Sequence, residues 1–190
     1  MTLKLITPPA TEPVTLTEAK AHCKVEHTDD DTLITGLIIA ARQQAEHLVG
    51  RPFITQTWEQ VLDAFPAVEI DLGKANVLAI TSVTYIDTDS AEQTMGTSTY
   101  SLDDEDTARC WLLPAADTDE WPDTLDTANA VRVRFTCGYG DADDVPEVIK
   151  LYMKLIIGKY HANREAVAVG QVTDLPGFER LLDGVRIWTP

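Results

Sequence analysis

Apolar residues recur at helical spacing over the first fifty residues. After the proline-broken segment TPPATEPV, the run TLTEAKAHCKV opens with Thr15-x-x-Glu18. At that spacing each side chain can satisfy an orphan amide of a helix start, which predicts a short helix from about Leu16 to Lys24. In HTDDDTLITGLIIAARQQAEHLVG the positions Ile34, Ile38, Ala41, Ala45 and Leu48 form one stripe, widened by Leu33 and Leu37. This predicts a second helix with one buried face. Asp29, Asp30 and Asp31 suit its positive N-terminal end and Gly50 its C-cap.

From Thr55 the period shortens. TQTWEQVLDAF, AVEIDL, VLAITSVTYID, STYSLD, RCWLLP and AVRVRFTC are short runs rich in Val, Ile, Thr, Tyr and Trp, separated by Pro, Gly, Asn and Asp clusters. They predict about six antiparallel strands between about 55 and 138, inserted between helices. The connections DTDSAEQTMGTS and AADTDEWPDTLDTAN are long and polar, and are expected to be mobile or ordered by a partner.

Helical spacing returns at Val145-Pro146 and runs to about Asn163, with Asp143 or Asp144 as the expected cap. Here the apolar residues fill two adjacent stripes. One holds Val145, Ile149, Met153, Ile156 and Tyr160, the other Val148, Leu151, Tyr152, Leu155 and Ile157. Only Lys150, Lys154, Gly158 and His161 are left as a narrow polar edge, so this helix is expected to be covered nearly all round, by subunit contacts if its own chain falls short. The last stretch, AVAVGQVTDLPGFERLLDGVRIWTP, offers one short apolar element, Phe178 to Leu182, before a tail carrying Trp188. Such a tail is expected to dock on a partner or fray.

The pattern is α+β, and 190 residues suit one folding unit with a real core. At 44% hydrophobic the composition is globular, and no apolar run reaches the ~18 residues of a membrane span. The start MTLKLITPP lacks the apolar core of a signal peptide, so residence in a cytoplasm-like compartment is expected. Charge changes the picture more. The net charge is −16, and residues 85–145 hold fifteen Asp/Glu against Arg109, Arg132 and Arg134. Affinity for nucleic acid comes largely from Lys and Arg displacing condensed counterions, so tight DNA binding is disfavoured.

Candidate chemistry is sparse. Gly138-Tyr139-Gly140 follows a strand and precedes a helix, as a dinucleotide loop would. However, the third glycine is missing and Asp141, Asp143 and Asp144 would repel a pyrophosphate, so the glycines are expected to serve a tight turn. Cys23, Cys110 and Cys137 lack paired spacing and are expected as small apolar residues. His22, Cys23 and His27 do not complete a metal set, and Asp87-x-Asp89-x-x-Glu92 lacks the glycine and remaining ligands of a calcium loop. No G-x-S-x-G elbow, H-E-x-x-H helix or P-loop occurs, so neither an enzyme nor a cofactor is expected.

Taken in order, PVTLTEAKAHCKVEHTDDDTLITGLIIAARQQAEHLVGRPF, the β-rich insertion, VRVRFTCGYGDADDVPEVIKLYMKLIIGKYHANRE and LPGFERLLDGVRIW resemble the head-to-tail connector proteins of long-tailed phages and prophages. The resemblance spans nearly the whole chain. Its most specific parts are T-L-x-E-A-K, D-D-x-L-I, the G-R after the second helix, G-Y-G followed by V-P-x-x-I-K, and Y-x-x-N-R-E. It implies a single connector domain: a small helical bundle (about 15–50 and 145–165), a long antiparallel β-rich insertion (about 55–138) and a C-terminal arm (about 166–190) reaching toward the portal. It also implies a non-enzymatic virion protein, a homo-oligomeric ring of about twelve copies beneath the portal protein. Such a ring extends the DNA channel without sequence-specific DNA binding and receives the next connector or tail-completion protein.

Three patches are expected to carry that role. Phe178, Leu182, Arg186 and Trp188 would form the portal-docking arm; Lys150, Lys154, Tyr160 and Arg164 would face a neighbouring subunit or the portal; acidic loops with Asp103, Asp104, Asp106 and Asp119 would face the channel or the next ring. The competing reading is a free-standing acidic α+β protein-binding module or a tail-side completion protein. That reading predicts a stable monomer whose long helix is covered by its own chain.

Overall fold

The computed structural model describes residues 2–104, 108–116, 120–164 and 177–187. The described residues form an α+β structure that divides into two compact units, one of Met1–Pro9 with Thr55–Tyr139, the other of Ala10–Ile54 with Gly140–Pro190.

The helical unit packs three helices, α1 (Leu16–Cys23), α2 (Asp31–Val49) and α3 (Glu147–Ala162). At the start of α1 the expected capping box is present. Thr15 Oγ1 accepts from the Glu18 amide at 3.2 Å, and the Thr15 amide donates to the Glu18 carboxylate at 2.8 Å. These bonds from Thr15 hold the Glu18 carboxyl below its ordinary value. In α2 the stripe Ile34, Ile38, Ala41 and Ala45 is buried and Gly50 ends the helix at φ 80°. Leu33, expected to widen that stripe, is instead 38% exposed. Arg42 on the same helix is buried and bonds both Glu12 and Glu46 at 2.7 Å, while Glu46 also accepts from the Phe53 amide. The leader before α1 and the turn after α2 are thus tied to one guanidinium, a geometry suited to arginine's planar fork. Burial pushes the Glu46 carboxyl up, which the Phe53 amide and Arg42 oppose.

Neither Asp143 nor Asp144 caps α3, whose N-cap is Pro146 without a side-chain bond. Asp144 instead closes a 3-10 turn, Ala142–Asp144, by accepting from the Asp141 amide at 2.9 Å. Gly140 makes this possible: its φ is 131°, and a Cβ there would stand 2.4 Å from Asp144 Oδ2. The close approach that a nucleotide loop would offer to phosphate is taken up by the protein's own carboxylate. At the far end of the bundle, a Cβ at Gly158 on α3 would stand 3.4 Å from the His22 ring of α1, so this glycine lets the two helices come close.

The other unit is built of strands β1 (Thr2–Thr7), β2 (Gln56–Leu62), β3 (Ile70–Asp71), β4 (Val77–Ile86), β5 (Glu92–Thr94), β6 (Tyr100–Asp103), β7 (Trp111–Pro114) and β8 (Val131–Cys137). They form a five-stranded sheet ordered β1-β2-β8-β4-β5 and a three-stranded sheet ordered β3-β7-β6, with every pairing antiparallel. Val83, Val131, Val133, Phe135 and Cys137 from the larger sheet share one core with Ile70, Leu72, Cys110 and Leu112. Full burial of each large side chain there contributes about 1.5–3 kcal/mol. Gln60, wholly buried, donates from Nε2 to the Asp71 carbonyl at 2.6 Å and so ties β2 to β3.

Two strands were not expected. Residues 2–7 pair along β2 although they precede a proline-broken segment, and Glu92–Thr94 pair with β4 although all three residues are polar and exposed. The turn before β5 is organised by Asp87, whose carboxylate accepts from the amides of Asp89 and Ala91 and from Gln93 Nε2 at 2.7–3.0 Å. The Ala91 amide and Gln93 hold this carboxyl below its ordinary range. The spacing that resembled a calcium loop is therefore an Asx-type turn.

Candidate docking surfaces

The C-terminal segment is anchored before it ends. Gly177 leads at φ 85° into a 3-10 turn, Phe178–Leu182. The Phe178 ring stacks on Tyr152 of α3, with centroids 5.2 Å apart and planes 15° from parallel. Leu182 is buried, and the Ile187 amide donates to the Val49 carbonyl at the end of α2. Phe178 and Leu182, expected in a docking arm, therefore hold residues 177–187 on their own helices. Arg186 is exposed, and Trp188 lies outside the described residues. Tyr152 is itself fully buried, and its hydroxyl meets no hydrogen-bond partner among the described residues. Burial, with the nearby Glu179 charge, pushes that phenol up to about 12.

The polar edge expected on α3 is displaced around the helix. Lys150 is only 7% exposed, with its ammonium 2.9 Å from Glu147 and its charge, like that of Lys154, acting on Glu18 of α1. The long aliphatic stem of lysine allows this: it packs like an apolar residue and carries its charge to two carboxylates. Tyr160 donates its hydroxyl to Gln44 at 2.8 Å, and Arg164 bonds Asp30 at 2.8 Å beside His161 at 3.3 Å. His161 first, then Arg164, holds the Asp30 carboxyl below its ordinary value. Of the four residues on or just after α3 expected at an interface, Lys150, Tyr160 and Arg164 thus bond within the helical unit, and Lys154 is half-buried. Leu151 takes the outward position at 44% exposure, with Val148 and Leu155 half-buried beside it. Leu33 and Ile39 on α2 are each 38% exposed. The overlapping stripes of α3 hid Leu151, since apolar spacing alone does not say which of two stripes faces in.

On the β unit the two sheets turn opposite faces outward, because their apolar faces share the core. In the larger sheet the register places Lys4, Glu59, Arg134 and Ser82 in one cross-strand row on the outer face, and Thr2, Val61, Arg132, Thr84 and Thr94 in the next. Glu59 is 6% exposed and shared by both arginines: Arg134 Nη2 lies at 2.6 Å and Arg132 Nη1 at 3.7 Å, while both guanidinium side chains stay about half exposed. An open groove runs along this face, lined among others by Arg132, Arg134, Thr84 and Asn129. The smaller sheet is opposite in charge. Asp71, Trp111 and Asp103 stand in one row across β3, β7 and β6, on the side away from buried Ile70 and Leu112. Asp103 thus belongs to a strand face, whereas Asp104 follows it, exposed, and Asp106 and Asp119 lie outside the described residues.

The sequence profile of a family described as phage gp6-like head-tail connector protein matches residues 13–108, just over half of the chain. The chain belongs to this family. Its work is accordingly that of a structural connector in the head-tail region of a phage, and the match takes in α1, α2 and strands β2 to β6. No protein with a curated description matches the connector in sequence. Solved structures do match in fold. A chain of the neck of an empty gene transfer agent (GTA) particle computed with C6 symmetry is 20% identical, with a TM-score of 0.83. Chains of a native gene transfer agent virion and of a native neck computed with C12 symmetry are 18% and 19% identical, with TM-scores of 0.82 and 0.79. Each comparison covers 100% of the connector and 97% of the other chain, so the common fold extends over the full length.

Proposed function

We propose that this connector is a ring-forming adaptor of the particle neck, seated on the portal protein after DNA packaging. It extends the DNA channel and presents a surface to the next connector or tail-completion protein. The observation that carries the reading is the conjunction of family membership with a full-length fold shared with chains of symmetric necks. Two physical features support it. Leu33, Ile39 and Leu151 leave apolar surface open on the helical unit, as a ring subunit needs for contacts on two sides. A net charge of −16 lets DNA pass without counterion-release affinity.

In this reading the end of the chain from Arg186 onward, with Trp188, reaches the portal. Lys154 and the outward side of α3 lie toward a neighbouring subunit or the portal. The loops with Asp104, Asp106 and Asp119 face the channel or the next ring. The chain acts in the virion after assembly in the host cytoplasm, without catalysis or cofactor.

Native mass spectrometry of the purified chain with purified portal tests the proposal. A cyclic complex on the portal is expected; a chain that stays monomeric and never binds portal contradicts it and favours the free-standing binding module.

A further inference from the structure

We propose that the β unit supplies an electrostatic contact between neighbouring copies in the ring, with the outer face of the three-stranded sheet of one copy meeting the outer face of the five-stranded sheet of the next. This rests on the ring reading above and adds to it the surfaces that meet. The unit holds sixteen Asp/Glu and five Lys/Arg. Three of those five cations, Lys4, Arg132 and Arg134, stand on a single sheet face. A fourth, Lys74, lies 4.2 Å over the Trp58 ring, which packs against the core, and the fifth, Arg109, is exposed just before β7. In an acidic unit, random placement would scatter the cations among the carboxylates. Instead the buried Glu59 holds two half-exposed guanidiniums side by side along an open groove, which Glu92 lines at its edge.

The face on the other side of the shared core is the complement. Asp71 and Asp103 flank Trp111 in one cross-strand row, and β3, β6 and β7 contain no Lys or Arg. Two opposite faces of opposite charge on one unit cannot be satisfied by a two-fold contact, which brings like surface to like surface. They suit a head-to-tail contact repeated from copy to copy, the arrangement that closes into a ring. Half-exposed Trp111 between two carboxylates, set against two guanidiniums, also matches the stacking preference of arginine. The occupant of the basic face is therefore a second copy of this chain, selected by charge and register.

The test is assembly of full-length variants, alone and on purified portal, read by native mass spectrometry and sedimentation, with circular dichroism to establish that each is folded. Lys4→Glu with Arg132→Glu reverses the basic face and leaves the Glu59–Arg134 pair in place. Asp71→Lys with Asp103→Lys reverses the acidic face. Each variant alone is expected to need about tenfold or more higher concentration to associate, since juxtaposed like charges oppose docking. An equimolar mixture should recover association, because alternating copies restore opposite charge at every contact. If wild type assembles and either folded variant assembles as well, or the mixture fails to recover, the face assignment is overturned while the ring reading stands. A wild-type chain that never associates, either alone or on purified portal, overturns both. Capture of DNA by wild type, abolished by Lys4→Glu with Arg132→Glu, would assign the basic face to nucleic acid instead and overturn the proposal.

Discussion

Replacing Gly140 by alanine probes the turn that joins the last strand to the long helix. At φ 131° an L-residue sits in a region that side chains rarely adopt, a strain of about 1–3 kcal/mol. The new Cβ would stand 2.4 Å from Asp144 Oδ2, closer than any real contact, so the carboxylate must move. Moving it forfeits the bond from the Asp141 amide, a capping interaction of about 1 kcal/mol. Together these predict a loss of about 2–4 kcal/mol. Denaturant unfolding followed by helical circular dichroism reads the loss, and in a thermal melt each kcal/mol lowers Tm by about 2–4 °C for a chain of this size. A double-mutant cycle sharpens the argument. Asp144→Ala alone should cost about 1 kcal/mol, and Gly140→Ala with Asp144→Ala should cost less than the two singles summed, because the colliding carboxylate is gone. A Gly140→Ala variant within about 0.5 kcal/mol of wild type would refute the reasoning, and strict additivity would refute the part that rests on the clash.

Four further outcomes are expected. Tyr152→Phe removes a buried hydroxyl that meets no partner among the described residues, so it should leave stability unchanged or raise it by about 1 kcal/mol in a thermal melt. The Asp30 carboxyl is held below its ordinary 3.8 by His161 and Arg164; that contribution to stability is full above about pH 4 and is lost as pH falls through the folded value. An Asp30→Asn variant should therefore differ from wild type most at neutral pH and converge with it in acid, which a pH series of urea midpoints reads. Leu182→Ala should cost about 2–5 kcal/mol, because it empties a buried site in the helical unit. Trp188→Ala should weaken portal attachment in a pull-down without changing the melt, and unchanged attachment would count against the tail as the docking element.

The helices and the central strands were legible because their signals are local. Thr15-x-x-Glu18 sets its own capping box, Gly50 its own left-handed cap, and the alternation in Val131–Cys137 is what a strand with one buried face requires. Strands β1 and β5 were not legible. Thr2–Thr7 gains its partner, β2, from across the leader and two helices, and Glu92–Thr94 is a polar edge ordered by the Asp87 turn and not by any apolar period. The inversion at Lys150 and Leu151 has the same origin. Adjacent residues on an apolar helix are separated by which neighbours they meet, and here the lysine is buried while the leucine is turned out. At the C-terminus, spacing identified Phe178 and Leu182 as an apolar pair but could not show that Tyr152 and the helical core receive them. The charge-sorted sheet faces were invisible for a related reason: Lys4, Glu59 and Arg134 become neighbours only through strand register.

The most direct test of a connector role is where the chain sits in assembled particles of the phage or prophage that encodes it. Cryo-electron microscopy of the particle neck should show multiple copies closed into a ring between the portal and the next component, with the three-stranded sheet of each copy against the five-stranded sheet of its neighbour. Particles whose necks are complete without this chain, or that carry it only as isolated copies away from the portal, would contradict the account.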